Sequence, residues 1–189
     1  MEEKLKQTDS NCIKVVLFGP ESTGKTTLAR QLARYYNSVW VPEYAREYLQ
    51  KKWNNERKTC EQSDLLPIAI GQMEIENRSS KKTDSVLICD TDLLETKVYS
   101  EEYYDGDCDP LLNKYAIENN YELYLLTYID TPWVADDLRD KPEERLQMFN
   151  SFEKALKDYN RPYIILKGNK KKRIEKAVKH IDELLNKGI

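Results

Sequence analysis

Short apolar runs alternate with longer stretches of helical spacing along this chain. Runs rich in aliphatic and β-branched residues predict five strands, at 13–18, 38–41, 85–89, 123–129 and 163–166. Between them, apolar positions at helical spacing predict helices behind the first strand and near 43–53, 62–77, 92–102 and 110–118. The chain therefore has the alternation of strands and helices that is typical of an α/β protein.

The clearest helix is the last one. Its apolar residues fall at i, i+3, i+4, i+7, i+10 and i+11 and form one stripe: Ile174, Ala177, Val178, Ile181, Leu184 and Leu185. Strands that are joined by helices pair in parallel through right-handed crossovers, which place helices on both faces of the sheet. The pattern predicts a three-layer α/β sandwich of five parallel strands.

Residues 19–26 have the sequence GPESTGKT, a GxxxxGKT motif between the first strand and the first helix. Its glycines let backbone N–H groups surround phosphate oxygens, and the following helix directs its positive end at them. The Lys25 ammonium would reach the β- and γ-phosphates, and the Thr26 hydroxyl would bind Mg²⁺. The motif predicts a P-loop kinase-like fold that binds ATP through Gly19, Glu21, Ser22, Thr23, Gly24, Lys25, Thr26 and Thr27.

Length and charge narrow the class of protein. With 189 residues, the chain predicts a single domain over 1–189, since a second domain of ordinary size has no room. The net charge of -3 gives none of the basic excess that general nucleic-acid binders use. The basic run at 170–173 (KKKR) is interpreted as a solvated surface turn rather than a nucleic-acid patch.

The cysteines and the absence of long apolar runs bear on location. Cys12, Cys60, Cys89 and Cys108 are far apart and form no CxxC pair, which predicts free thiols in a reducing cytosol. No apolar stretch approaches the ~20 residues of a membrane span, and no signal-peptide pattern follows the charged start. We therefore expect a cytoplasmic protein without a membrane or nucleic-acid partner.

Polar residues follow three of the predicted strands. Glu43 and Arg46 come after the second strand in PEYAREY, and Asp90 and Asp92 come after the third in ICDTD. The fourth strand leads into the polar stretch 133–139 (WVADDLR). Because ligands of open parallel sheets gather beyond the carboxyl ends of the strands, these residues are candidate active-site groups.

Phosphoryl transfer needs a nucleophile that is held in line with the γ-phosphate, a metal ion, and positive charge around the transferred group. Asp90 suits a Walker B residue that holds Mg²⁺, and Glu43 suits a base or a hydrogen-bond acceptor for the substrate's hydroxyls. Arg139 suits a lid over the phosphates, whereas Arg46 is either a ligand of substrate or phosphate or a surface charge. Asp92 is either a substrate-binding residue or a helix N-cap.

Four segments together, FGPESTGKTTLA, PEYAREY, ICDTD and WVADDLR, resemble the NadR-like ribosylnicotinamide kinase family of the P-loop NTPase superfamily. The resemblance implies an ATP- and Mg²⁺-dependent kinase of NAD biosynthesis that phosphorylates the 5′-hydroxyl of nicotinamide riboside. It implies that Glu43 or Asp90 meets the ribose near the transferred proton and that the DDLR stretch forms the lid. An aromatic side chain would stack on the cationic pyridinium ring, and Tyr99, Tyr103 and Tyr104 lie in the right segment. Helix packing is the stronger interpretation of Tyr99, which leaves Tyr103 and Tyr104 as the two candidates.

The chain departs from the family pattern before the Glu-Tyr pair. Pro42 stands where the family usually has a tryptophan, and Trp40 lies two residues earlier. Pro42 removes one aromatic ring that could contact nicotinamide, so the identity of the acceptor is the least determined part of the prediction. The full family regulator also contains DNA-binding and adenylyltransferase parts, and we expect neither within these 189 residues.

Other classes of P-loop protein are the alternatives. A regulatory GTPase needs an NKxD motif to recognise guanine, and the run at 169–172 (NKKK) lacks the aspartate. A mechanical ATPase usually places a glutamate after the Walker B aspartate, where this chain has Thr91. An ATP-binding sensor without kinase activity and a kinase for another nucleoside stay open as alternatives.

Overall fold

The computed structural model describes residues 2–136, 138 and 142–187. Within them the strands are β1 (Ile13–Phe18), β2 (Val39–Val41), β3 (Val86–Asp90), β4 (Leu123–Thr127) and β5 (Tyr163–Leu166). The helices are α1 (Lys25–Tyr35), α2 (Tyr44–Glu56), α3 (Gln62–Ser80), α4 (Leu93–Tyr103), α5 (Pro110–Glu118), α6 (Arg145–Asp158) and α7 (Lys170–Lys187). Two short 3₁₀ turns cover Glu2–Lys4 and Pro142–Glu144.

The described strands form one sheet in the order β2-β3-β1-β4-β5, and every pair is parallel. The predicted fold of five parallel strands between helices is therefore confirmed. β4 is shorter than the predicted run at 123–129, because after Thr127 the chain leaves the ladder. The Tyr128 N–H still pairs with the Leu166 carbonyl at 3.0 Å, but Asp130 accepts the Gly168 N–H with its side chain at 2.5 Å.

Both faces of the sheet are covered, which explains why the strands are apolar at nearly every position. Along β1, Val15 and Leu17 lie in a core shared with α1 and α7. Val16 and Phe18 lie on the opposite face, in a core shared with α4 and α6. Phe18 packs edge-to-face on Phe152 of α6, with ring centroids 5.0 Å apart.

A third cluster of buried hydrophobic residues lies on the outer side of α4, beyond the core that contains Val16 and Phe18. Helices α3 and α5 pack against the outer side of α4 through Leu65, Met73, Leu93, Leu112 and Tyr115. This layer places α3 beside α2, so that the space between α2, α3 and α4 opens next to the carboxyl end of β3. The extra layer therefore creates room for a ligand beside the phosphate loop.

The end of the KKKR run differs from its interpretation as a solvated turn. The first three lysines are exposed, but Arg173 is 4% exposed. Its guanidinium donates to the carbonyls of Thr23 (2.6 Å), Tyr128 (2.9 Å) and Gly168 (2.9 Å) and pairs with Asp130. Arg173 thus holds the phosphate loop against the ends of β4 and β5.

Two further expectations can be compared with the described residues. All four cysteines are free, and Cys12 and Cys89 are buried. None of the described helices is both long and apolar enough to span a bilayer.

We expect Arg173→Met to lower the free energy of unfolding by about 2–4 kcal/mol, because it leaves buried carbonyl groups without a donor and Asp130 without its partner. Lys172→Met, at the exposed neighbouring position, is the matched control and should change it by less than about 0.5 kcal/mol. Urea unfolding of the two variants checks this. Equal effects of the two substitutions would contradict the role assigned to Arg173.

Candidate active site

The loop between β1 and α1 has the backbone shape of a phosphate cradle. Gly19 has φ = 126°, and a Cβ there would lie 3.0 Å from the Thr127 carbonyl oxygen. Gly24 has φ = 86° and caps α1. The Thr23 hydroxyl lies 2.7 Å from both the Pro20 carbonyl and the Thr127 hydroxyl, which closes the loop on itself. These contacts hold the loop at the N-terminus of α1, which is a favourable position for a phosphate group.

A cavity stands in front of this loop, here called the phosphate cavity. The predicted nucleotide-binding residues that line it are Glu21, Ser22, Thr23, Gly24, Lys25, Thr26 and Thr27, together with Glu43, Arg46 and Asp90. Gly19 is not among the lining residues, and its N–H donates to the Glu95 carboxylate at 3.2 Å. The loop residues predicted from the motif thus share one cavity, apart from Gly19.

Lys25 is folded back onto its own loop. Its ammonium donates to the carbonyls of Gly19 (2.5 Å) and Pro20 (3.0 Å) and lies 3.2 Å from Glu95 Oε1. Burial opposes the charge of Lys25, yet the carboxylates of Glu95, Glu43 and Asp90 together hold its pKa above the usual value. Burial raises the pKa of Glu95, whereas the Lys25 ammonium, 3.2 Å away, acts in the opposite direction and favours the charged carboxylate.

Asp90 is fully buried at the end of β3, and neither of its carboxylate oxygens has a hydrogen-bond partner among the described residues. Burial, and next the charge of Glu43, raises its pKa to about 6. The Thr26 hydroxyl lies outside hydrogen-bond geometry but close enough to favour the charged form. Unpartnered carboxylate oxygens beside a hydroxyl are the kind of donor that Mg²⁺ takes, so Asp90 and Thr26 fit that ion.

Three consecutive residues after β3 enter three different environments. Asp90 lines the phosphate cavity, Thr91 lines a second cavity, and Asp92 enters the core. Thr91 has φ = 89°, a strained value for a β-branched residue that costs about 1–3 kcal/mol. Strain of this kind accumulates at functional sites, where the surrounding structure imposes it.

The structure corrects the substrate-binding prediction for Asp92. Its Oδ1 accepts the Glu95 N–H at 3.0 Å as the N-cap of α4, and its Oδ2 accepts the Tyr124 hydroxyl at 2.7 Å. Both oxygens are therefore used inside the protein, and the side chain is 1% exposed. Of the two roles left open for Asp92, the N-cap is the one the structure supports.

A second cavity opens between α2, α3 and α4, here called the acceptor cavity. Its volume is about 170 Å³, below the ~300–1000 Å³ that is usual for small-molecule sites. The apolar part of its wall comes from Ala45, Leu49, Leu65, Ile68 and Leu138. Glu21, Glu43 and Tyr99 line both cavities, so they mark the passage between them.

Glu43 is placed at this passage by the backbone around it. It is the N-cap of α2, but its side chain makes no capping hydrogen bond. Buried Gln72 holds both neighbouring residues, accepting the Tyr44 N–H at 2.8 Å and donating to the Pro42 carbonyl at 3.3 Å. The Glu43 carboxylate is thereby positioned by Gln72 while its oxygens stay available to a ligand.

The aromatic candidates divide between the two cavities. Trp40 lines the phosphate cavity, where the Arg30 guanidinium lies 4.6 Å from its ring, so it does not stand in for the missing tryptophan in the acceptor cavity. Tyr103 and Tyr104 both line the acceptor cavity, and Tyr104 donates its hydroxyl to the Cys60 carbonyl at 3.1 Å. The choice between these two tyrosines stays open.

The lid region is described up to Asp136 and again at Leu138. Arg46 of α2 forms an ion pair with Asp136 and lines the phosphate cavity rather than the acceptor cavity. Arg145 donates to the carbonyls of Thr131 (3.0 Å) and Ser22 (3.2 Å), which ties the start of this segment to the phosphate loop. The predicted lid arginine, Arg139, lies outside the described residues.

Sequence reasoning missed two of the buried residues that organise the site. Glu95 stands three residues after the N-cap Asp92, the spacing of a capping box, which indicates a helix end rather than a partner for Lys25. Gln72 lies in the middle of a helix, where nothing local distinguishes it. Tyr99 fits the packing stripe of α4, and only the structure shows that it also borders both cavities.

Comparison with known proteins supports the resemblance to NadR. The chain is 30% identical over 155 residues to the trifunctional NAD biosynthesis/regulator protein NadR of Salmonella typhimurium, covering 81% of this chain but 38% of that protein. It superposes on a NadR protein in complex with NR with a TM-score of 0.77, 25% identity and coverage of 93% and 52% of the two chains. The chain thus spans less than two thirds of these relatives.

The fold recurs in thymidylate kinase from Ehrlichia chaffeensis, with a TM-score of 0.62, 18% identity and coverage of 92% and 98%. At that identity the likeness concerns the fold alone. The sequence model of the family described as AAA domain matches residues 14–173. This match covers most of the chain, and the chain therefore belongs to the AAA domain family.

Proposed function

We propose that the protein is an ATP-dependent kinase that phosphorylates the 5′-hydroxyl of nicotinamide riboside and gives nicotinamide mononucleotide. The observation that carries this proposal is the junction of the two cavities at Glu43 and Tyr99, directly in front of the phosphate loop. A donor phosphate and an acceptor hydroxyl can meet there without a change of fold. The NadR relatives agree with it, since they are named for NAD biosynthesis and one was solved with NR.

The donor half follows from the phosphate loop. Backbone N–H groups and the N-terminus of α1 would hold the phosphates of ATP, and Lys25 would neutralise the β- and γ-phosphates. Thr26 and Asp90 would hold Mg²⁺, which would neutralise part of the negative charge of the phosphates. The described residues contain no group of three or more His, Cys, Asp and Glu side chains suited to a metal, so the nucleotide and water would supply the remaining ligands.

The charge of the acceptor cavity favours a cationic acceptor without a phosphate. Glu21, Glu43 and Glu95 line it, and the described lining residues include no lysine or arginine. A nucleoside monophosphate would place its phosphate among carboxylates with no cation to pair with. A pyridinium ring gains from the same carboxylates and from the faces of Tyr99, Tyr103 or Tyr104. The cavity therefore suits nicotinamide riboside better than a nucleotide.

The chemistry requires a proton acceptor beside the 5′-hydroxyl. Glu43, at the passage, would accept the hydroxyl proton while the oxygen bonds to the γ-phosphorus and the bond to the ADP oxygen breaks. Asp90 is the second candidate base, but its place beside Thr26 suits metal binding better. Exclusion of water would fall to the lid segment, whose Leu138 already lines the acceptor cavity.

One prediction of the proposed function concerns the rate of ADP release. We expect nicotinamide riboside to raise the rate at least about tenfold above the basal rate, whereas nucleoside monophosphates leave it unchanged. Nicotinate riboside should be a poorer acceptor, because its carboxylate meets the same carboxylates. A coupled ADP-release assay with ordinary nucleosides in the panel checks this, with Lys25→Ala as the blank. Flat responses across the panel would favour a sensor module and end the kinase proposal.

The second prediction distinguishes the role of the Glu43 carboxylate from that of Gln72, which holds the backbone around it. Glu43→Gln should lower kcat by about 10²–10⁴-fold, the usual worth of a general base. Gln72→Leu, which releases the backbone around Glu43 and also changes one wall residue of the acceptor cavity, should lower kcat by about tenfold and leave KM for ATP unchanged. Glu47→Gln, on the exposed face of the same helix, is the control. Steady-state kinetics of the three variants would refute the assignment if Glu43→Gln kept the wild-type kcat.

The third prediction links function to stability at Asp90. We expect Asp90→Asn to unfold at higher urea concentration than the wild type, gaining about 1–2 kcal/mol in the absence of nucleotide, because it removes an unpartnered buried charge. The same variant should lose most of its kcat through loss of the metal ligand. A less stable and fully active variant would show that Asp90 serves the fold and not the reaction.

A further inference from the structure

The contacts of Glu95 connect the two cavities. Its Oε1 lies 3.2 Å from the Lys25 ammonium and its Oε2 accepts the Gly19 N–H at 3.2 Å. The side chain is 2% exposed, and the residue lines the acceptor cavity. One buried carboxylate therefore contacts the lysine and the backbone of the phosphate loop while bordering the space for the acceptor.

The ammonium of Lys25 has three N–H donors and three partners within this arrangement, two through hydrogen bonds and one through an ion pair. They are the Gly19 carbonyl, the Pro20 carbonyl and Glu95. A phosphate oxygen can gain one of these donors only when an existing partner gives it up. Nucleotide binding must therefore break at least one of these contacts, and the contact with Glu95 is the longest of the three.

We propose that Glu95 is a positioning residue that holds Lys25 in the nucleotide-free protein and couples the two cavities when Lys25 moves to the nucleotide. After that movement, Glu95 Oε2 still accepts the Gly19 N–H, but Oε1 has lost its cation in a buried place. A hydroxyl of the acceptor can then donate to Oε1 from the acceptor cavity. This second step rests on the proposed function, whereas the first concerns the nucleotide alone.

The coupling has a defined direction. Because ATP frees Oε1 for the acceptor, the acceptor binds more tightly to the ATP complex than to the free protein. Linkage requires that the acceptor strengthens ATP binding by the same factor. The protein thereby favours the ternary complex over either binary complex.

Glu95→Gln tests the first step. Glutamine has the same shape and still accepts the Gly19 N–H, so the substitution removes mainly the charge that holds Lys25. Calorimetric titration with Mg²⁺ and the ATP analogue AMP-PNP should give a Kd about three- to tenfold lower than in the wild type. Glu102→Gln, on the same helix and outside both cavities, is the matched control and should keep the wild-type Kd. An unchanged or higher Kd in Glu95→Gln overturns the proposal.

The same titrations with nicotinamide riboside test the coupling. In the wild type, AMP-PNP should lower the Kd of the riboside severalfold, and in Glu95→Gln the two ligands should bind independently. Equal coupling in both proteins contradicts the role of Glu95 even if the kinase reaction is established. Failure of the riboside to bind at all ends the proposed function, whereas the AMP-PNP titration still decides the contact with Lys25.

Glu95→Asp provides a second test of the contact with Lys25 if the Glu95→Gln protein does not fold. It keeps the charge but withdraws the carboxylate by one C–C bond, about 1.5 Å, from Lys25. The Kd of AMP-PNP should again fall relative to the wild type, by less than in Glu95→Gln. A Kd equal to that of the wild type in this variant also contradicts the proposal.

Discussion

The parallel pairing of β1 with β3 is the constraint on which the rest of the site depends. In this register Leu17 stands opposite Asp90, and the Thr91 N–H donates to the Leu17 carbonyl at 3.2 Å. The phosphate loop begins just after β1, so the pairing fixes where its glycines lie relative to Asp90. Pairing of β2 with β3 then brings Glu43 to the same edge of the sheet. Three separate segments meet at one point because parallel strands end together.

The site concentrates unfavourable features, and contacts farther out hold it in place. Asp90 is buried without a hydrogen-bond partner in the described chain, Glu95 is buried beside Lys25, and Thr91 has a strained backbone. Arg173 stabilises this region, since its guanidinium joins the Thr23 carbonyl of the phosphate loop to the Tyr128 carbonyl after β4 and the Gly168 carbonyl after β5. Protein sites that carry such strain are those where groups must be held ready for a ligand.

The sequence predicted the five-stranded parallel sheet and the loop between β1 and α1, because these depend on local periodicity and on a short motif whose chemistry is fixed. It failed where a role depends on a distant partner. Nothing near Glu95 indicates Lys25, and nothing near Arg173 indicates that its guanidinium enters the core instead of water. Asp92 shows the converse, since its sequence context beside Asp90 suggested the site while Tyr124, far along the chain, holds it in the core. The walls of the acceptor cavity come from three helices, so their meeting could not be predicted from any one of them.

The proposed reaction brings ATP and the acceptor together at the wall that the two cavities share, which is formed by Glu21, Glu43 and Tyr99. A crystal structure of the chain with AMP-PNP, Mg²⁺ and nicotinamide riboside tests this most directly. The account predicts the riboside's 5′-hydroxyl oxygen at about 2.6–3.2 Å from a Glu43 carboxylate oxygen and facing the γ-phosphate, with the pyridinium ring between the tyrosines of the acceptor cavity. It also predicts that the Lys25 ammonium contacts the β- and γ-phosphates of AMP-PNP. A riboside bound elsewhere, or turned so that its 5′-hydroxyl points away from the phosphate loop, would contradict the account.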